Sequence, residues 1–86
     1  MKVLKGVRVL SLSLNLPGPA ALMRCKAMGA TCVKLEPPNG DPMGLYNPNA
    51  YEQLHLGVRV AKADLKTELG QRALYRELVK TDVLLT

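Results

Sequence analysis

An open, mainly parallel α/β sheet in the order β-α-β-loop-β-α-β is the fold class this sequence predicts, and three observations predict it. Short β-branched apolar runs alternate with helical patterns along the chain. Residues 7–35 have the length of one strand–helix–strand unit, which requires parallel pairing and a crossover between the two strands. A second helical pattern leads into another apolar run at 82–85, so the unit recurs.

The first strand is Val7-Arg8-Val9-Leu10-Ser11-Leu12, apolar on both faces as a strand covered on both sides must be. After Ser13 to Leu16, the turn Pro17-Gly18-Pro19 opens a helix through Ala20 to Met28, because proline suits the first helical position. Gly29 supplies a left-handed cap that stops it. Thr31 to Leu35 is the second strand. From Glu36 to about Gln53, Pro37, Pro38, Asn39, Gly40, Pro42, Gly44, Asn47, Pro48 and Asn49 are turn and breaker residues, and the segment is expected to be a long loop. Val58 to Ala63 alternates apolar and basic residues, as a half-exposed strand near a sheet edge does. Thr67 caps a second helix over 68–80, whose buried stripe is Leu74, Leu78, Ala73 and Val79. Arg72, Arg76 and Lys80, four residues apart, form its solvated face. A closing strand covers Asp82 to Leu85.

At 86 residues the chain is one domain at most, and it is expected to be a single portion of a larger one, with one sheet face thinly covered and marginal stability. Hydrophobic residues make up 48% of it, too many for a disordered chain, and no run is long enough to span a membrane. Cys25 and Cys32 lie seven apart without a redox or metal spacing, which points to packing thiols in a cytoplasmic protein. Twelve basic against seven acidic residues give a net charge of +5 and favour a polyanionic partner. Three tyrosines are the only aromatic residues, too few for a base-stacking platform, which argues against nucleic acid.

Ligands of open α/β sheets sit at the carboxyl ends of the strands, so Leu16-Pro17-Gly18-Pro19 at the mouth of the first helix is a candidate anion site. Glu36 ends the second strand where a ribose-binding acid would stand, but the glycine fingerprint of dinucleotide sites is absent, and a solvent-exposed glutamate is the plainer reading. His55 is the single histidine and has no carboxylate partner close in sequence, so a polar loop or strand-edge position is expected. Asp41 and Asp64 stand alone in different segments, giving no acid/base dyad, and no spacing gathers ligands for a metal.

Taken together, Gly6-Val7-Arg8-Val9-Leu10-Ser11-Leu12-Ser13, Pro17-Gly18-Pro19-Ala20, Met28-Gly29-Ala30, Val33-Lys34-Leu35-Glu36-Pro37-Pro38 and Gly40-Asp41-Pro42 resemble the N-terminus of the family III CoA-transferases. This CaiB/BaiF-like family includes formyl-CoA transferases, carnitine CoA-transferases and α-methylacyl-CoA racemases. The resemblance continues through Gly57, Arg59, Ala63-Asp64-Leu65-Lys66-Thr67, Gly70 and Thr81-Asp82-Val83-Leu84-Leu85.

The resemblance implies a Rossmann-like domain that binds coenzyme A as the substrate thioester, with an acyl-CoA and a carboxylic acid as partners, no metal, and an interlocked homodimer in the full-length family. It implies that Leu16, Pro17, Ala63, Asp64, Leu65 and Lys66 are CoA-contacting positions, Lys66 through a phosphate. The aspartate nucleophile of the transferases and the His/Asp pair of the racemases lie beyond position 86, so no catalytic residue is assigned here. Pro37 stands where the family often has an arginine, Val58-Arg59 where it has Lys-Arg, and Glu68 where it has a helix-opening proline. The alternative from another class is a small non-enzymatic basic α/β module that binds a nucleotide or a partner protein.

Overall fold

The computed structural model describes residues 3–86. Four strands, β1 (Arg8–Ser11), β2 (Thr31–Glu36), β3 (Arg59–Lys62) and β4 (Val83–Leu85), form one sheet in the order β3-β2-β1-β4. Every pairing is parallel, with Val9 opposite Cys32 and Val83, and Lys34 opposite Val60. The predicted α/β class is what the structure shows, and the half-exposed third strand lies at the sheet edge as expected.

Because side chains alternate across a strand, β1 and β2 each feed two cores. Val9 and Cys32 point to one face, where they meet Leu22 of α1 (Pro17–Ala27) and Ala30. Leu10, Val33 and Leu35 point to the other, where Leu74 and Leu78 of a helix over Glu68–Val79 pack against them. Both faces therefore carry a helix, which corrects the expectation of one thinly covered face. Cover thins at the two edge strands: Val60 of β3 is 36% exposed, and Val83 and Leu84 of β4 stay 42% and 44% exposed.

Two short helices replace the expected long loop: α2 (Met43–Tyr46) and α3 (Pro48–Leu54). Asn47 caps α3 by accepting the Ala50 amide at 3.3 Å, and Pro48 takes the first helical position. The breaker residues of this segment thus start helices as well as ending them. Gly29 has the left-handed conformation its capping role requires, with φ 101°.

The helix over Glu68–Val79 is α4, and Thr67 caps it as predicted, accepting the Gly70 amide at 3.1 Å. Its stripe is narrower than expected. Val79 is 88% exposed, since it sits on the last turn and points away from Leu10 and Val33, leaving Leu74 and Leu78 to bury the helix. Arg59 adds a cross-link from β3, donating to both carboxylate oxygens of Glu77 at 2.8 Å.

Candidate functional site

The strand ends on the carboxyl side frame two clefts, with the β1–α1 loop as their common wall. One, about 210 Å³, is lined by Leu12, Leu35, Glu36, Pro37, Pro38 and the run Ala63-Asp64-Leu65-Lys66. The other, about 450 Å³, lies where the strand order reverses between β1 and β4, and is lined by Ser13, Leu14, Pro17, Gly18, Ala21, Leu85 and Thr86. The six positions singled out from the sequence are thus divided. Ala63 to Lys66 share the smaller cleft, Pro17 borders the larger, and the exposed side chain of Leu16 lines neither.

Each wall has a local cause. Ala63 donates its amide to the Glu36 carbonyl at 2.9 Å, which extends the β2–β3 pairing into the cleft wall. The Asp64 carboxylate accepts the Lys66 amide at 3.0 Å, and the Asp64 carbonyl accepts both the amide and the hydroxyl of Thr67 at 3.0 and 2.8 Å. That tight turn leaves the Asp64 carboxylate engaged locally and the Lys66 side chain exposed, without an ion pair among the described residues. The smaller cleft is therefore apolar along its walls, with one ammonium at its rim.

Behind the clefts lies a buried ionic cluster that sequence reasoning missed. Lys34 is fully buried in β2, and its Nζ contacts Asp41 Oδ2 at 2.6 Å, His55 Nε2 at 2.9 Å and Glu36 Oε2 at 3.1 Å. Its three protons thus meet three acceptors, so the ammonium is saturated. His55 Nδ1 lies 2.6 Å from the Tyr51 carbonyl, a contact that requires the proton on Nδ1 and leaves Nε2 to accept from Lys34. The Tyr51 hydroxyl donates to Glu36 Oε2 at 2.5 Å, and its ring stacks on His55 at 4.1 Å.

Three expectations are corrected here. Glu36 is 3% exposed and held by Lys34 and Tyr51, so it is neither a solvated strand end nor free to grip a ribose. His55 is buried at the end of α3, with carboxylates around it that lie 14 and 19 positions away in sequence. Asp41, read as standing alone, shares one ammonium with Glu36. Ligand atoms of Glu36, Asp41 and His55 all lie within 4.8 Å of one another, a spacing that could hold a cation. The Lys34 ammonium bonds to all three residues and supplies a positive charge there, so a metal ion would have to displace it. Only the strand alternation that places Lys34 and Glu36 on one face was legible beforehand. The partners come from α3 and the turn before α2, across a segment read as loop.

Burial pushes the Asp41 carboxyl up, but hydrogen bonds from Lys34 and from the amides of Met43 and Asn15, together with the Lys34 charge, outweigh it and hold the group below its ordinary value. A carboxyl depressed in the folded state stabilises the fold above its unfolded value, near pH 4, and loses that contribution as the pH falls through the folded value. Acid unfolding followed by circular dichroism should therefore steepen below about pH 4. In Asp41→Asn this part of the acid limb should flatten. Cys32 is buried, which pushes its thiol up, the state of a packing thiol.

Comparison with known proteins agrees with this architecture. The family model described as CoA-transferase family III matches residues 4–86. A cinnamoyl-CoA:phenyllactate CoA-transferase from Clostridium sporogenes is 29% identical over 92 residues, covering 94% of this chain and 22% of that protein. A CAIB/BAIF family protein from Brucella suis has a similar crystal structure, with TM-score 0.84 and 29% identity over 96% of this chain and 25% of the other. A hypothetical protein from Mycobacterium tuberculosis gives TM-score 0.83 at 29% identity, covering 98% and 25% of the two chains. The chain thus spans about a quarter of the length of these relatives. No helix among the described residues is long and apolar enough to cross a membrane. The parallel sheet is this chain's version of an architecture these relatives share, and the family match spans nearly all of it: the chain belongs to CoA-transferase family III.

Proposed function

We propose that residues 1–86 form the N-terminal CoA-binding portion of an enzyme that transfers CoA from an acyl-CoA to a carboxylic acid, or racemises an acyl-CoA. The observation that carries the reading is the cleft formed by Ala63, Asp64, Leu65 and Lys66 against Leu12 and Pro37 at the carboxyl ends of β1, β2 and β3, in a chain of this family. Its apolar walls suit the pantetheine arm or the flat face of a base, and the Lys66 ammonium at the rim suits a phosphate. Coenzyme A is much larger than about 210 Å³, so the cleft holds one part of it and the β1–α1 loop with Leu16 and Pro17 guides another. These residues bind and orient. The chemistry is assigned to the parts of the longer family members that have no counterpart here, in a cytoplasmic, interlocked homodimer.

A two-dimensional amide spectrum of the chain, recorded with and without millimolar coenzyme A, tests the reading. Peaks of Leu16, Gly18, Ala63, Asp64, Leu65 and Lys66 are expected to shift while those of the α4 C-terminal turn stay fixed. Dispersed peaks with no shift at any of these positions would overturn the assignment of the site.

A further inference from the structure

Resting on the CoA reading above, we propose that Asp41 is a positioning residue for the site: through the backbone amide of Asn15 it fixes the shape of the β1–α1 loop, the wall shared by both clefts. Asn15 is the one non-glycine residue among those described with a positive φ, 65°, a left-handed conformation that asparagine tolerates better than most residues but at a cost glycine does not carry, so contacts that hold it matter. Neither flanking element imposes it. The β1 strand ends at Ser11, and α1 begins on Leu16, whose side chain has no oxygen to cap the helix, and on Pro17, which has no N–H.

The restraint comes from a residue 26 positions away. Both oxygens of Asp41 accept the Asn15 amide, at 3.0 and 3.2 Å. The Tyr46 hydroxyl donates to Asn15 Oδ1 at 3.3 Å, a second tether from the same segment. Asp41 can act as an anchor because it is itself immobile: it is 4% exposed, pairs with Lys34 at 2.6 Å and accepts the Met43 amide at 2.9 Å. Asp41 lines neither cleft, so its effect on CoA is indirect: it runs through Asn15 to the β1–α1 loop, and the other route, through the shared Lys34 ammonium to Glu36 in the smaller cleft, is one that Asn15→Gly would not rescue. The buried cluster thereby links the 41–55 segment to the mouth of α1.

The test combines coenzyme A titration with amide exchange in the parent chain, Asp41→Ala, and Asp41→Ala with Asn15→Gly. In Asp41→Ala the ammonium keeps Glu36 and His55, whereas the loop loses its anchor. If the competent loop shape then falls to about a tenth of the population, the Kd for coenzyme A rises about tenfold. Exchange should quicken at Asn15 and at Ala20, whose amide bonds the Leu16 carbonyl at 3.0 Å. Adding Asn15→Gly removes the left-handed penalty, so affinity should return to within about threefold of the parent. A merely structural role for Asp41 would lower Tm without this rescue.

Unchanged Kd and unchanged exchange at Asn15 in Asp41→Ala would overturn the proposal, as would loss of binding that Asn15→Gly does not recover. Should the alanine chain not fold, Asp41→Asn keeps the volume and a single acceptor oxygen, and is expected to show the same changes in smaller degree. A parent chain that binds no coenzyme A overturns the functional reading and with it the role in binding, while amide exchange still decides separately whether Asp41 holds the loop.

Discussion

Replacing Lys34 by methionine is expected to unfold the chain at neutral pH. Methionine matches the lysine stem in length, so packing beside the Tyr51 ring of α3 is nearly kept and the loss is one of charge. Asp41 and Glu36, at 4% and 3% exposure, are then left buried without the ammonium that now lies 2.6 and 3.1 Å from them. Breaking a buried pair from one side costs roughly 3–5 kcal/mol, a large part of what a domain of this size has in total. Urea unfolding by circular dichroism should show no folded baseline at pH 7. The variant should regain structure as the pH is lowered towards 5, because protonation removes the charge that has lost its partner, the opposite trend to the parent. A folded Lys34→Met chain at pH 7 with the parent's midpoint would show that the cluster contributes little.

Changing Gly70 to alanine should be nearly as damaging, against the usual preference of helices for alanine over glycine. Gly70 is buried in the first turn of α4, and a methyl group there would overlap the backbone carbonyl of Asp64. Backbone cannot swing aside as a side chain can, so either α4 lifts from the sheet or the Ala63–Lys66 turn deforms. The exposed-helix gain from alanine is about 1 kcal/mol, and an overpacking cost of roughly 3 kcal/mol outweighs it. The Tm is expected to fall by more than about 10 °C, given about 4–8 °C per kcal/mol for domains of this size. Because the displaced turn is a cleft wall, the amide peaks of Asp64, Leu65 and Lys66 should move even where the rest of the spectrum holds. Thermal melts that coincide with the parent's would refute the close approach.

Where the chain's periodicities are local, the sequence was enough. Alternation in Val7 to Leu12, the proline before α1, Gly29 after it and Thr67 before α4 each act within a few residues, and each element formed near its expected bounds. The segment 36–53 misled because asparagine and proline carry two meanings. At Asn47-Pro48 they cap and open a helix, and at Asp41-Pro42 the carboxylate takes the Met43 amide, yet the same residues in a cluster read as breakers. With that segment taken as loop, nothing brought His55 or Asp41 to Lys34. The candidate site was legible in part for the same reason: Ala63 to Lys66 form a contiguous turn, whereas the restraint on Asn15 crosses 26 residues.

The order of the strands also dictates how the sheet can be assembled in time. Of these four strands, central β1 is made first, and one of its two neighbours, β4, is made after the other three, joined to it by a bond from the Arg8 amide to Asp82 across 74 residues. During synthesis β1 can dock on β2 once the first crossover is out, but its other edge stays open until residues 83–85 follow. Such late, long-range closure is slow, and an open edge beside Val9 and Leu10 is a template for mispairing between nascent chains. Conditions that speed translation or raise its temperature should therefore cost yield before they cost the finished fold.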